Sequence, residues 1–203
     1  MGSMTIEIKN NLGKDVDASF VDGKICLNWA ETKRKLGDLN PGDVFKGKSE
    51  TEYIVCGHEH FETYVVRREL LKETMEFGNT NNWAKGKIRK YLNGDYVQVI
   101  QREFGNGNIV AFERDLTSLD GYNDYATCVD KVSVMNVMEY MKYHKYVGNC
   151  DFRYVLITPD STPSGWGANH VRYVINDGTV GCNRCDINFG VRPFFVLKSS
   201  TFV

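Results

Sequence analysis

Val171-Arg172-Tyr173-Val174-Ile175-Asn176, then Asp177-Gly178, then Thr179-Val180-Gly181-Cys182-Asn183, is the stretch that sets the fold class. Two runs of strand-forming residues flank a two-residue turn signal, so the stretch reads as a β-hairpin. Upstream, 153–158 (Arg-Tyr-Val-Leu-Ile-Thr) reads as a strand, and the Pro- and Ser-rich residues 158–165 as a loop. Downstream, 191–198 (Val-Arg-Pro-Phe-Phe-Val-Leu-Lys) is a closing strand, while 52–56 and 63–67 read as paired strands earlier in the chain. Three helices are expected between them. The first, 84–92, has Ile88, Tyr91 and Leu92 on one face and stops at Asn93-Gly94. The second, 96–104, starts from an Asp95 cap and ends at Gly105. The third, 137–146, opens on Asn136 with Glu139 three residues on, the spacing of a capping box. Strands at both ends with helices between them define an α+β chain.

A second hairpin precedes this region. Counting outward from Asp22-Gly23 puts Phe20 opposite Ile25, Ala18 opposite Leu27 and Val16 opposite Trp29, all on one face. Asp17, Ser19, Lys24 and Asn28 fall on the other. Residues 5–9 are expected as a third strand, joined through Asn10-Asn11-Leu12-Gly13, and 31–35 as a linker. The expected organisation is a cloning remnant at 1–3, a ribbon and linker at 4–35, and a main domain at 36–203.

The balance of 25 Lys+Arg against 26 Asp+Glu argues against a protein held to nucleic acid by bulk phosphate attraction. No apolar run approaches the roughly 20 residues a membrane-spanning helix needs. Residues 1–4 lack the charged start and apolar run of an export signal, so the chain is expected to be cytoplasmic as synthesised and its six cysteines reduced. Cys182-Asn183-Arg184-Cys185 has C-x-x-C spacing, which fits half a zinc site, a redox pair or two incidental thiols. The second half of a zinc site is missing, and residues 181–188 look like loop. His58-Glu59-His60 on a strand would direct both imidazoles to one side as metal ligands; exposed turn histidines are the alternative. Lys85, Lys87, Arg89 and Lys90 read as a solvated basic stripe, and Trp83 as a core residue ahead of a helix. There is no Gly-Xaa-Ser-Xaa-Gly elbow, phosphate loop or His-Glu-Xaa-Xaa-His. The chain is read as a non-enzyme without metal or cofactor.

A longer series of short motifs carries a resemblance. It runs through Leu36-Gly37-Asp38-Leu39-Asn40-Pro41-Gly42-Asp43-Val44-Phe45, Asn81-Asn82-Trp83, Ile88-Arg89-Lys90-Tyr91-Leu92-Asn93-Gly94 and Asp115-Leu116-Thr117-Ser118-Leu119-Asp120-Gly121. It continues with Asp130-Lys131-Val132-Ser133, Thr158-Pro159, Ser161-Thr162-Pro163-Ser164, Val171-Arg172-Tyr173-Val174, Asp177-Gly178 and Gly190-Val191-Arg192-Pro193-Phe194. In this order, over residues 36–198, the chain resembles an uncharacterised domain family of Gram-positive gut bacteria and their prophages. That family is similar to the C-type-lectin-like fold of formylglycine-generating enzymes and of the variable proteins of diversity-generating retroelements.

The resemblance implies small twisted antiparallel sheets with two or three helices, paired chain ends, and late irregular segments forming a ligand-facing surface. Those segments would be 159–169 and 182–189, and the ligand-binding candidates are Trp166, Asn169, His170, Arg172, Asn183, Arg184, Asp186, Asn188 and Phe189. Trp166, between two glycines, is either a binding anchor or an aromatic folded back over the core, the commoner fate of so large a side chain. Arg192 fits a scaffold role, its guanidinium on backbone carbonyls or a carboxylate, better than a ligand contact. Thr158-Pro159-Asp160 without Trp-Asn-Asp falls short of a lectin calcium site, so a protein ligand is expected over a carbohydrate. Cys182 and Cys185 match no motif of the copper enzymes. Residues 182–189 are all reachable by adenine-directed mutagenesis, which leaves retroelement diversification open. The expectation is a ligand-binding phage or prophage protein, virion-associated in a display role. The alternatives are an intracellular phage effector that inhibits a host defence protein and, least favoured, a metal- or thiol-dependent enzyme.

Overall fold

The computed structural model describes residues 16–29 and 33–203, and the chain divides into two units, Met1–Arg34 and Lys35–Val203. In the first unit β1 (Val16–Val21) and β2 (Lys24–Trp29) pair antiparallel, Val16 opposite Trp29, Ala18 opposite Leu27 and Phe20 opposite Ile25. This is the register read from the turn. Asp22 (φ 49°) and Gly23 (φ 76°) both adopt the left-handed region, as a type I′ turn requires to match strand twist. The expected third strand at 5–9 and its turn at 10–13 lie outside the described residues.

The second unit mixes small antiparallel sheets with one main helix and several short helical turns. β3 (Val44–Lys46), β4 (Glu52–Glu59), β5 (Glu62–Arg67) and β6 (Met75–Glu76) lead to α1 (Lys87–Tyr91) and α2 (Val97–Phe104). β7 (Ile109–Val110), β8 (Phe112–Asp115), β9 (Thr127–Asp130) and β10 (Val132–Ser133) precede α3 (Val137–Val147). β11 (Tyr154–Pro159), β12 (His170–Val174), β13 (Val180–Arg184), β14 (Asn188–Phe189) and β15 (Phe194–Lys198) complete the unit. The main sheet has the order β10-β15-β5-β4-β3, with β7 also on β15; β11, β12 and β13 form a second sheet. Lys35 bridges Phe202, and the Leu36 N–H donates to the Thr201 carbonyl at 2.8 Å, so the two ends of the unit meet. Among the described residues no helix is long and apolar enough to cross a membrane.

Alternation along the strands divides the core in two. Tyr53 and Val55 of β4, Val65 of β5 and Phe195 and Leu197 of β15 pack with Ile88, Leu92, Val97, Ile100 and Phe104 of the α1–α2 segment. Ile54 and Cys56, Val66 and Phe194 point the opposite way, onto Val137, Tyr140, Tyr143 and Val147 of α3. β11 is buried along its whole length because it serves both clusters, Val155 and Ile157 in the first and Tyr154 and Leu156 in the second.

The helix expected to stop at Asn93-Gly94 continues instead through a π-helical turn, Leu92–Tyr96, and α2 starts without a side-chain cap from Asp95. The Asn93 amide is occupied elsewhere. It accepts from the Lys131 N–H at 2.8 Å and donates to the Val132 carbonyl at 2.8 Å, fastening the start of β10 to the helix. Arg89 also departs from the solvated stripe. Its Nε and the indole Nε1 of fully buried Trp83 each donate to the buried Asp130 carboxylate at 2.7 Å.

Two further buried guanidiniums join elements. Arg114 makes a two-pronged contact with Glu139, at 2.5 and 2.6 Å, while Glu139 completes the expected capping box with Asn136 at the start of α3. Arg192 donates to the carbonyls of Arg67, Arg68, Val147 and Gly148 at 2.7–3.1 Å. Two of these are the carbonyls left open at the end of α3, where a cation also opposes the helix dipole. Arg192 is therefore scaffold.

Arg114→Met strands Glu139 at a largely buried position, and urea unfolding should show a loss of about 3 kcal/mol. Arg114→Lys should recover less than half of it, because an ammonium cannot make the two-pronged contact.

Candidate functional site

Between β11 and β12 the chain makes an excursion whose base is buried and whose tip is not. Asp160, Ser161 and Thr162 are buried at its start, and Asp160 forms an ion pair with Arg172 of β12 beneath it. The side chain of Asn81, fully buried, closes the base. Its Nδ2 donates to the carbonyls of Ser161 and His170, both at 2.8 Å, and its Oδ1 accepts from the Tyr125 hydroxyl at 2.7 Å. The Asn81 N–H reaches the Ala168 carbonyl at 2.8 Å. Above this staple the Trp166 N–H donates to Ser161 Oγ at 3.0 Å, and the indole stands 56 % exposed. The fold-back of Trp166 over the core is thereby corrected. Its ring leans on His170 instead, centroids 5.1 Å apart.

β12 and β13 form the expected hairpin, with His170 opposite Arg184 and Arg172 opposite Cys182. Trp166, His170 and Arg184 thus follow one another across the face, and Arg184 grips Asp186, Nε to Oδ1 at 2.9 Å. That hydrogen bond and charge hold the Asp186 carboxyl below the usual carboxylate range. Asn169 and Asn188 are exposed; Asn183 is half-buried across from Val171, which turns into the core. Residues 182 and 183, read both as the end of the hairpin and as the start of the irregular segment, belong to β13, and the strand runs on through Arg184.

Two candidates do not belong to the surface. Phe189 is 0 % exposed, paired opposite Met75 in the β14–β6 ribbon and packed against Tyr173. Arg172 is committed to Asp160 and supports the excursion from below. The C-x-x-C cysteines separate as well, Cys182 exposed and Cys185 buried in the core. Desolvation, partial at exposed Cys182, pushes both thiols up, away from the reactive thiolate. His58 is neither ligand nor exposed turn residue: it is half-buried, with Nδ1 on Thr63 Oγ1 at 2.9 Å and Nε2 on the Leu39 carbonyl at 2.8 Å. Among the described residues no group of three or more His, Cys, Asp or Glu is placed to hold a metal ion.

The face has a second wall that the sequence reading did not name as a site, residues 118–124. The Leu119 N–H donates to the Pro159 carbonyl at 3.0 Å, and the Ser164 N–H to Asp124 Oδ2 at 2.9 Å. A methyl group on Gly165 would run into Ser161 Oγ and stand 3.0 Å from Asp120 Oδ2 and Tyr122 Cε2, so glycine is required where the excursion meets this wall. Leu119 and Tyr122 are exposed beside it. The available signal was Asp120-Gly121 within a run of Tyr, Asn and Asp, a loop composition suited to contacts.

No family model, curated protein or solved structure matches this chain.

Phe189→Ala should cost about 3–5 kcal/mol in denaturant unfolding, whereas Trp166→Ala should stay within about 0.5 kcal/mol of the parent. In the native protein an alkylating reagent should modify Cys182 and spare Cys185, as peptide mapping will report; equal labelling would contradict their different burial.

Proposed function

We propose that this is a non-enzymatic ligand-binding protein with a C-type-lectin-like domain, of phage or prophage origin, taking a protein as its ligand. The observation that carries the reading is Trp166, an indole held in solvent on an excursion whose base is stapled by buried Asn81. With Leu119 and Tyr122 also exposed on the neighbouring wall, the indole adds to an apolar patch of the kind that marks an interaction site. A braced loop has already lost the conformational freedom that binding would otherwise remove, so more of the contact energy appears as affinity. His170 lies against the indole, Asn169 hydrogen-bonds His170, and Arg184 with its partner Asp186 lies opposite His170 across the hairpin, a mixture of polar groups that suits a protein surface. The raised thiols of Cys182 and Cys185 favour binding over thiol chemistry. Meeting chain ends and small antiparallel sheets favour the lectin-like architecture.

The test is capture from a bacterial host lysate with the full chain as bait. The double variant Trp166→Ala/Arg184→Ala should lose the partner that the parent retains, with a melting temperature within about 2 °C of it. Retention of the same partner by a folded double variant would refute this face as the binding surface.

A further inference from the structure

The charges around Trp166 are unequally satisfied. Arg184 is paired with Asp186 and Arg172 with Asp160, so the nearby guanidiniums are committed. Asp120 and Asp124 are not matched in this way: among the described residues no cation lies within ion-pair distance of either. Both are exposed, and hydrogen bonds hold them ionised below the usual carboxylate range, led by the Ser118 hydroxyl for Asp120 and the Ser164 N–H for Asp124. Asp124 accepts from the Ser164 N–H, and Asp120 Oδ2 lies 3.0 Å from where a methyl group on Gly165 would stand, so both approach the two residues immediately before Trp166. The same patch presents Leu119, Tyr122 and Trp166 to solvent, 43–56 % exposed. It therefore combines two unmatched negative charges with two open aromatic rings.

We infer that the ligand presents a basic polypeptide segment here, an arginine or lysine side chain lying over Trp166 and Tyr122 with its charge against Asp120 and Asp124. This rests on the binding reading above and adds the chemistry of the partner. A cation is attracted to the face of an aromatic ring, and a planar guanidinium can stack on the ring while hydrogen-bonding carboxylates. An acidic segment would be repelled by the same two carboxylates. A neutral one would gain nothing from displacing water around them. At a net charge of -1 the chain has little overall field, so the selectivity comes from this local arrangement.

The probe is a fluorescein-labelled Gly-Arg repeat peptide, titrated with the full chain and followed by anisotropy. Its citrulline counterpart, equal in shape but uncharged, should bind about tenfold more weakly or worse, and a Gly-Glu repeat should not bind. Asp120→Asn/Asp124→Asn, which keeps oxygen acceptors for the loop, and Trp166→Ala should each weaken the arginine peptide about tenfold, while Glu73→Gln leaves it unchanged. Independently of any variant, raising salt from about 50 to about 300 mM should weaken parent binding several-fold. Equal binding of the citrulline peptide, absence of a salt effect, or full binding by the folded aspartate variant overturns the inference. If the arginine peptide fails to bind while Trp166→Ala/Arg184→Ala still loses the lysate partner, the binding face stands and the basic partner is refuted. If the peptide binds through the aspartates while that double variant keeps its lysate partner, the assignment of the face to that partner fails instead.

Discussion

One carboxamide holds the candidate site together. Asn81 sits in the irregular segment between β6 and α1, yet its side chain and N–H meet residues some eighty to ninety positions further along the chain, and Tyr125 as well. A backbone excursion of ten residues has many carbonyls to satisfy, and those turned inward cost free energy unless a donor reaches them. Asn81 supplies donors to three carbonyls, those of Ser161, Ala168 and His170, and orders its own oxygen through Tyr125. Everything above it, the Ser161–Trp166 hydrogen bond, the lean of the indole on His170 and the contact with residues 118–124, starts from a base that one buried side chain defines.

The same economy recurs in the scaffold. Three long-range junctions each depend on a side chain that bonds in more than one direction: Arg192 on four carbonyls, Arg114 on Glu139, and Asp130 on both Trp83 and Arg89. They supplement ladders that are short. β6, β7, β10 and β14 each contain two residues, too few for ladder hydrogen bonds alone to keep them in place. The two-sided core gives bulk stability, and these polar junctions tie together elements that lie far apart in the sequence.

What could be read in advance follows from the range of the forces involved. The register at Asp22-Gly23, the capping box at Asn136 and the β12–β13 hairpin are settled by residues within a few positions of one another, and all three are present. Asn93-Gly94 misled because its local preference for ending a helix is overridden by bonds to Lys131 and Val132. Phe189 and Trp166 could not be told apart in advance for a similar reason. Both are aromatics in polar, glycine-containing surroundings, and only the pairing of β14 with the distant β6 turns Phe189 inward. Residues 118–124 became part of the site through contacts with 159–165; their Tyr-, Asn- and Asp-rich composition suits a contact loop, but no local pattern says which segment it meets.

The bridge between Lys35 and Phe202 has a practical corollary. A unit whose entry and exit share one doorway asks little of the polypeptide around it: a host loop need open only by the width of a strand pair to accept it as a guest. Residues 35–202 could be spliced into a surface turn of an unrelated carrier, leaving the carrier's own chain path almost undisturbed.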